Sequence, residues 1–295
     1  TTLVFVEREW VAVPGDEAER LLRDPALARR RHHLASARRY RPHGLSEPEE
    51  KILQDLANTG ARAWNRLFDE VMGAARFRLS HGGETRELGE EEVLALLYHP
   101  DREQRRAAAG SLTEGLRENA RVLAYIFNVL TQDKATRDRL RRYEHPKQSR
   151  NLDNEIDDET VEALLAAAER GFPTVARYYR LKAKLLGLDR LEDFDRYAAV
   201  AASEEPTGFD EARRIVLDAY GDFSPEMAQV AGRFFEQRWI DAELRPGKRG
   251  GAFSASTVPS AHPYVLLNYT GNLRDVMTVA HELGHGVHQY LARDQ

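Results

Sequence analysis

Two histidines four residues apart with a glutamate beside the first, His281-Glu282-Leu283-Gly284-His285, are the side chains of this 295-residue sequence best suited to chemistry. On a helix, positions i and i+4 share one face a turn apart, so both imidazoles reach a single metal ion. Glu282, about 100° around from His281, then stands where it can hold a water at that metal. Two nitrogen donors and a carboxylate base point to hydrolysis at one zinc ion (Zn2+), with His281 and His285 as ligands and Glu282 as the base. The chain has no cysteine, so a metal here must be held by nitrogen and oxygen atoms.

The motif carries this meaning only on a helix, and the stretch Gly271–Leu291 has helical periodicity. With His281 at 0°, Met277, Leu291, Ala280, Val287, Val276 and Leu283 fall in one arc from about −40° to about −160°, which is the expected core face. His285, Thr278 and Glu282 lie on the other side, at about +40° to +100°, as a polar face for chemistry. Asn272 or Thr270 is the expected N-cap, and Asp275 suits the positive end of the helix dipole. A catalytic zinc site needs a third protein ligand and an open position. His288 stacks along the axis of a continuous helix instead of closing round the metal, so it is assigned to packing or support. His288 and Leu291 also occupy the places where the metzincin pattern requires Gly and His, which excludes that subclass. A carboxylate from another helix remains. Because the sequence stops at Gln295, that ligand is expected outside residues 1–295, and the chain, which opens at Thr1, is read as a fragment.

The elements that must position this helix follow from composition and pattern. Hydrophobic residues at 42% and charged residues at 31% are those of a soluble globular protein, predicted to be mainly α. A net charge of −5 gives no general attraction to nucleic acid or to a membrane, and no run of 18 apolar residues exists. Charges arrive too early in Thr1–Arg8 for a signal peptide, and the absence of cysteine accords with a cytoplasmic location, which is the expectation. The basic block Arg29–Arg41 reads as a solvated helix face, because residues 1–50 hold nine basic against nine acidic side chains.

Along the chain, Leu3–Val6 reads as a strand or extended lead-in, and 16–40 as helical, with Pro25 starting a second helix behind Asp24. Ser46 and Glu49 form a capping box for a helix to Asn58. Trp64, Leu67, Phe68 and Val71 form one stripe of the next helix, read as core. Arg76–Leu79 and Thr85–Leu88 around His81-Gly-Gly83 predict a small hairpin. A helix over 90–98 and a very long one from about 101 to 143 follow, the latter with Leu112, Leu116, Leu123, Phe127 and Leu130 recurring. After a loop at 146–154, helices are expected at 158–170, 172–186, 208–220 and 224–237. The pattern then changes: Gly247–Phe253 is a glycine-rich turn, and Pro263–Tyr269 a β-type run, together a small β element feeding the motif helix. An exposed strand edge there would hold an extended peptide by main-chain hydrogen bonds.

The run Ile240–Glu243, Gly247-Lys-Arg-Gly-Gly-Ala-Phe253, Val258–Gly271 and Leu273–His285 resembles oligoendopeptidase F, of the M3 family of zinc metallopeptidases. Leu45–Lys51 and Thr59–Phe68 are similar to that family's N-terminal domain. Ser254 stands where many members would have Cys. The resemblance implies a multi-helical, zincin-type peptidase fold enclosing a channel for short peptides, with residues 1–150 as the N-terminal helical domain and 151–295 as the first part of the catalytic domain. It implies His281 and His285 as zinc ligands, Glu282 as general base, and Gly250, Gly251, Ala252, Phe253, His262 and Tyr264 bordering the substrate cleft. It also places a glutamate ligand and Tyr and His donors in a remainder of the catalytic domain downstream of Gln295. Two alternatives stay open: a non-cutting half that binds peptides or a partner, and an M32-like metallocarboxypeptidase.

Overall fold

The computed structural model describes residues 4–200 and 206–294. Leu3, at the start of the expected extended lead-in, lies outside them. Val4–Val6 are not extended but open the helix Val4–Ala12. Helix packing here overrides the β propensity of Val-Phe-Val: Trp10 Nε1 donates to Leu34 O at 2.7 Å, and Arg38 to Trp10 O and Val13 O.

The chain forms two compact units, each from two stretches of sequence: residues 1–68 with 121–180, and 69–120 with 181–295. In the first unit the helices Gly15–Leu22 and Arg31–Arg38 bury one alanine each, Ala18 and Ala37, and Glu47–Leu56 buries only its C-cap, Ala57. Polar links do much of the fastening. Arg141 makes a two-point bond to Glu50 at 2.8 Å on each oxygen, and Ser46 N and Oγ donate to Glu49 Oε2 at 2.7 and 2.6 Å. The basic block is the solvated face expected: Arg29–His33 and Arg41 are exposed, and Arg31 and His32 bond at the surface to Leu22 O and Glu155. Leu67 and Phe68, expected in the core, are exposed, as is Phe127 at 70%.

In the second unit, strands β1 (Phe77–His81) and β2 (Glu84–Leu88) form the expected hairpin, with Phe77 opposite Leu88 and His81 opposite Glu84. Gly82 and Gly83 both have positive φ (62° and 86°), which the right-handed twist of a two-residue turn demands. Helix Arg102–Leu140 runs 39 residues. Helix Asp158–Leu185 is continuous through Pro173, where two helices were expected, because one proline removes a single rung and the rungs on either side persist.

A second sheet has the order β3 (Ile240–Asp241), β5 (Tyr264–Leu266), β4 (Phe253–Ala255), with β3 parallel and β4 antiparallel to β5. It packs with helices Phe209–Phe223, Pro225–Glu236 and the motif helix Leu273–Leu291 around Phe234, Val265, Leu267, Val279 and Leu283, all nearly solvent-free. Ser224 caps the second of these helices through Met227 N at 3.2 Å, with Pro225 at its first position.

Candidate active site

The motif helix is fixed from its first turn. Asp275 Oδ2 accepts from Thr270 N at 2.7 Å, Thr270 Oγ1 at 2.6 Å and Asn272 N at 3.2 Å, so Asn272 is the N-cap and Thr270 a second donor to the same carboxylate. The buried face of the helix is Val276, Val279, Glu282, Leu283, Gly286 and Val287. This corrects the expected core arc: Met277 and Leu291 are 67% and 61% exposed. The helix is turned so that Gly286 lies on the Phe234 ring, an approach that a pattern built on large apolar residues does not register. Glu282 moves with it, from the expected polar face to the border of the core, at 9% exposure.

His281 and His285 remain exposed, and their Nε2 atoms are 3.1 Å apart. Two zinc–nitrogen bonds of about 2.0–2.1 Å near the tetrahedral angle span about 3.3 Å, so the pair fits two positions of such a site. Among the described residues, no third His, Cys, Asp or Glu joins them, and His288 stands outside the pair on an exposed part of the helix.

Strand β4 reaches the same helix. Val265 N and Leu267 N donate toward β3, to Trp239 O at 2.9 Å and Asp241 O at 2.8 Å. Tyr264 and Leu266 therefore pair with Ala255 and Phe253, and Ser254 turns its N–H and C=O to the outer edge. There Ser254 Oγ donates to Gln289 Oε1 at 2.8 Å, and Gln289 Nε2 to Ser254 O at 3.4 Å. Gln289 follows His285 by four residues, so the strand edge lies along the helix face that carries the histidine pair.

The glycine-rich turn ahead of β4 is clasped by this chain's own groups. Gly251, at φ 79°, donates its N–H to Glu91 Oε1 at 2.6 Å, and its carbonyl accepts from Asn268 Nδ2 at 2.8 Å. A side chain at Gly250 would begin 2.8 Å from Glu91 Oε1. Burial, then the neighbouring Glu91, pushes the Glu90 carboxyl up from its ordinary value. Lys248 Nζ, almost solvent-free, donates to Asp241 O and Oδ1, Glu243 O and Leu267 O, which ties the turn to β3 and β5. Hydrogen bonds from Arg245 and then Lys248 outweigh burial and draw Asp241 down to about 2.

Of the remaining expected residues, Ala252 packs against the core and Phe253 lies under the Arg249 guanidinium. His262 and Tyr264 form a separate aromatic group. His262 stacks on Trp239 at 4.1 Å and 7°, and Tyr264 lies 4.3 Å from His262. Lys248, Gln289, Asn268 and Glu91 were not singled out from sequence. Only Lys248 carried a signal, as one of two adjacent cations, with Arg249, inside a glycine-rich turn.

The profile of peptidase family M3 matches residues 222–295, and that of oligopeptidase F matches residues 9–77. The group B oligopeptidase PepB of Streptococcus agalactiae is 26% identical over 99% of this chain and 49% of its own length. Oligopeptidase PepF of Bacillus subtilis is 24% identical over 98% of this chain and 44% of its own. The chain thus spans about half the length of the curated relatives it matches. Among solved structures, PZ peptidase A with an inhibitor superposes with a TM-score of 0.81 at 18% identity, over 98% of this chain and 50% of that one.

Proposed function

We propose, because this chain belongs to peptidase family M3, that it contributes to a zinc-dependent oligoendopeptidase cutting internal bonds of short peptides. Residues 151–295 would supply the first part of the catalytic domain, and 1–150 the N-terminal helical domain. The observation that carries the reading is the convergence of His281 Nε2 and His285 Nε2, with Glu282 beside them on the helix and the β4 edge along the same face.

His281 and His285 would hold the metal. When bound, zinc supplies a Lewis acid for the scissile carbonyl and brings the pKa of water to about 7. Glu282, 9% exposed, would take a proton from the attacking water and deliver it to the leaving amine. The outer edge of β4, with Gly250, Gly251, Ala252 and Phe253 leading into it, aligns the peptide main chain. His262 and Tyr264 flank the β5 end of the cleft. No described helix is long and apolar enough to cross a membrane.

The test is cleavage of a quenched peptide blocked at both ends by the complete gene product that contains this chain. Chelator-sensitive internal cleavage that disappears in Glu282→Gln, with metal content unchanged, is expected. Full activity in Glu282→Gln would remove the base from the scheme, and failure to cut any doubly blocked peptide would favour an M32-like carboxypeptidase.

A further inference from the structure

Within the second unit, a cavity of about 400 Å³ opens beside Gly251 and Ala252 and extends to Thr278, which precedes Glu282 by one helical turn. Nothing in the catalytic scheme above uses it. Its walls are the rings of Tyr98 and Tyr197, stacked at 4.6 Å, and the side chains of Leu94 and Leu97. We propose that this cavity is a specificity pocket for one uncharged aromatic side chain of the bound peptide, one or two residues from the bond that is cut. The inference rests on the peptide reading of the β4 edge and adds the side chain that edge would select.

Its charges argue against an acidic guest. Arg274 Nη1 donates to the Tyr98 hydroxyl, and the guanidinium lies 5.6 and 5.7 Å from the centres of the two tyrosine rings. Glu91 is engaged by Gly251 N, and Asp275 by the three donors at the helix start. Each ion in the wall thus has a partner belonging to the wall. With two carboxylates to one guanidinium, an acidic guest is repelled. With the tyrosines stacked on each other and Arg196 and Arg274 over their rings, what the wall offers a guest is the flank of this aromatic pair and leucine, an apolar surface on which an aromatic side chain buries area. Position follows from the helix: one turn is about 5.4 Å along the axis, and an extended peptide advances about 3.3–3.6 Å per residue. A residue whose backbone lies at Gly251–Ala252 therefore places its side chain in the cavity while the next one or two peptide bonds reach His281 and His285.

The experiment irradiates the full chain with an end-blocked pentapeptide carrying benzoylphenylalanine at its centre and maps the adducts by mass spectrometry. Label within 94–98 or at Tyr197 is expected. It should fall by about tenfold or more, the weight of one buried aromatic side chain, in Leu97→Trp and in Tyr197→Ala. Phe-containing peptides should compete and Glu-containing ones should not. Label confined to 252–255, or unchanged in both variants, would overturn the pocket and leave the peptide edge standing. No specific label anywhere would overturn the peptide edge and the pocket with it.

Discussion

Gly286→Ala probes whether the motif helix is seated as described. A Cβ at Gly286 would lie 2.8 Å from Cε1 and Cζ of Phe234, whereas carbon contacts settle at about 3.5–4.0 Å, so roughly 0.7–1.2 Å must be found. Phe234 cannot yield it cheaply: it is 0% exposed, and Trp239 meets it edge-on at 5.1 Å. Overpacking of this kind costs about 1–3 kcal/mol, while alanine over glycine in a helix interior returns about 1 kcal/mol. The net is a loss of up to about 2 kcal/mol. For a unit of 150–250 residues this corresponds to as much as about 4–8 °C in Tm. The assay is thermal and urea unfolding of the chain followed by circular dichroism, repeated in a Phe234→Leu background. If the ring is what the methyl strikes, the double variant should be more stable than the sum of the two single losses by about 1 kcal/mol or more. A stabilising Gly286→Ala, near the bare helix-propensity gain, would refute the contact and with it the helix rotation that buries Glu282.

Three further outcomes follow from the same structure. In helix Arg102–Leu140, Gly110→Ala should stabilise by about 1 kcal/mol, since nothing lies within 4 Å, whereas Gly115→Ala should destabilise, since its Cβ would stand 2.5 Å from buried Phe77; urea midpoints compare the two directly. Asp195→Ala should cost about 3–5 kcal/mol by leaving buried Arg105 without its counter-charge, read from the same unfolding curves. Burial raises the Asp195 carboxyl, but hydrogen bonds from Arg102, Glu192 N and Arg105 together hold it well below the usual range. Because the folded value is the depressed one, its stabilisation should be complete above about pH 4 and fall as the pH drops below that, and Asp195→Asn should flatten this acid limb. His281→Ala should abolish zinc binding by the chain in calorimetric titration, whereas His288→Ala should leave it unchanged.

The sequence was most readable where the determining contacts lie within one or two turns. The capping box at Ser46 and Glu49, the Ser224-Pro225 helix start, the Gly82-Gly83 hairpin and the His281–His285 spacing are all set by neighbours in the chain, and each is found where the pattern puts it. Readings that required knowing which side of an element meets another fared worse. The stripe Trp64–Val71 was taken as core, yet Leu67 and Phe68 are exposed, and Phe127 likewise, because apolar periodicity marks a face without saying whether anything covers it. A break was read between residues 170 and 172, but the helix runs through it and through Pro173.

The motif helix shows both limits at once. Its periodicity located the helix and its caps and put Val276, Leu283 and Val287 rightly in the core, but extended the core face to Met277 and Leu291, since large residues dominate such a count and glycine adds nothing to it. The contact that orients the helix is a missing side chain at Gly286 meeting a ring more than fifty positions earlier. The same holds for the substrate edge. Gly250 and Gly251 were noticed for allowing close approach, but the groups that approach are Glu91 and Asn268, from opposite sides in sequence. Local spacing thus names the residues that would do the chemistry. The distant residues that hold them, Phe234, Lys248, Glu91 and Gln289, become legible only once the chain is folded, because their role is to fill or fasten space that the motif itself leaves open.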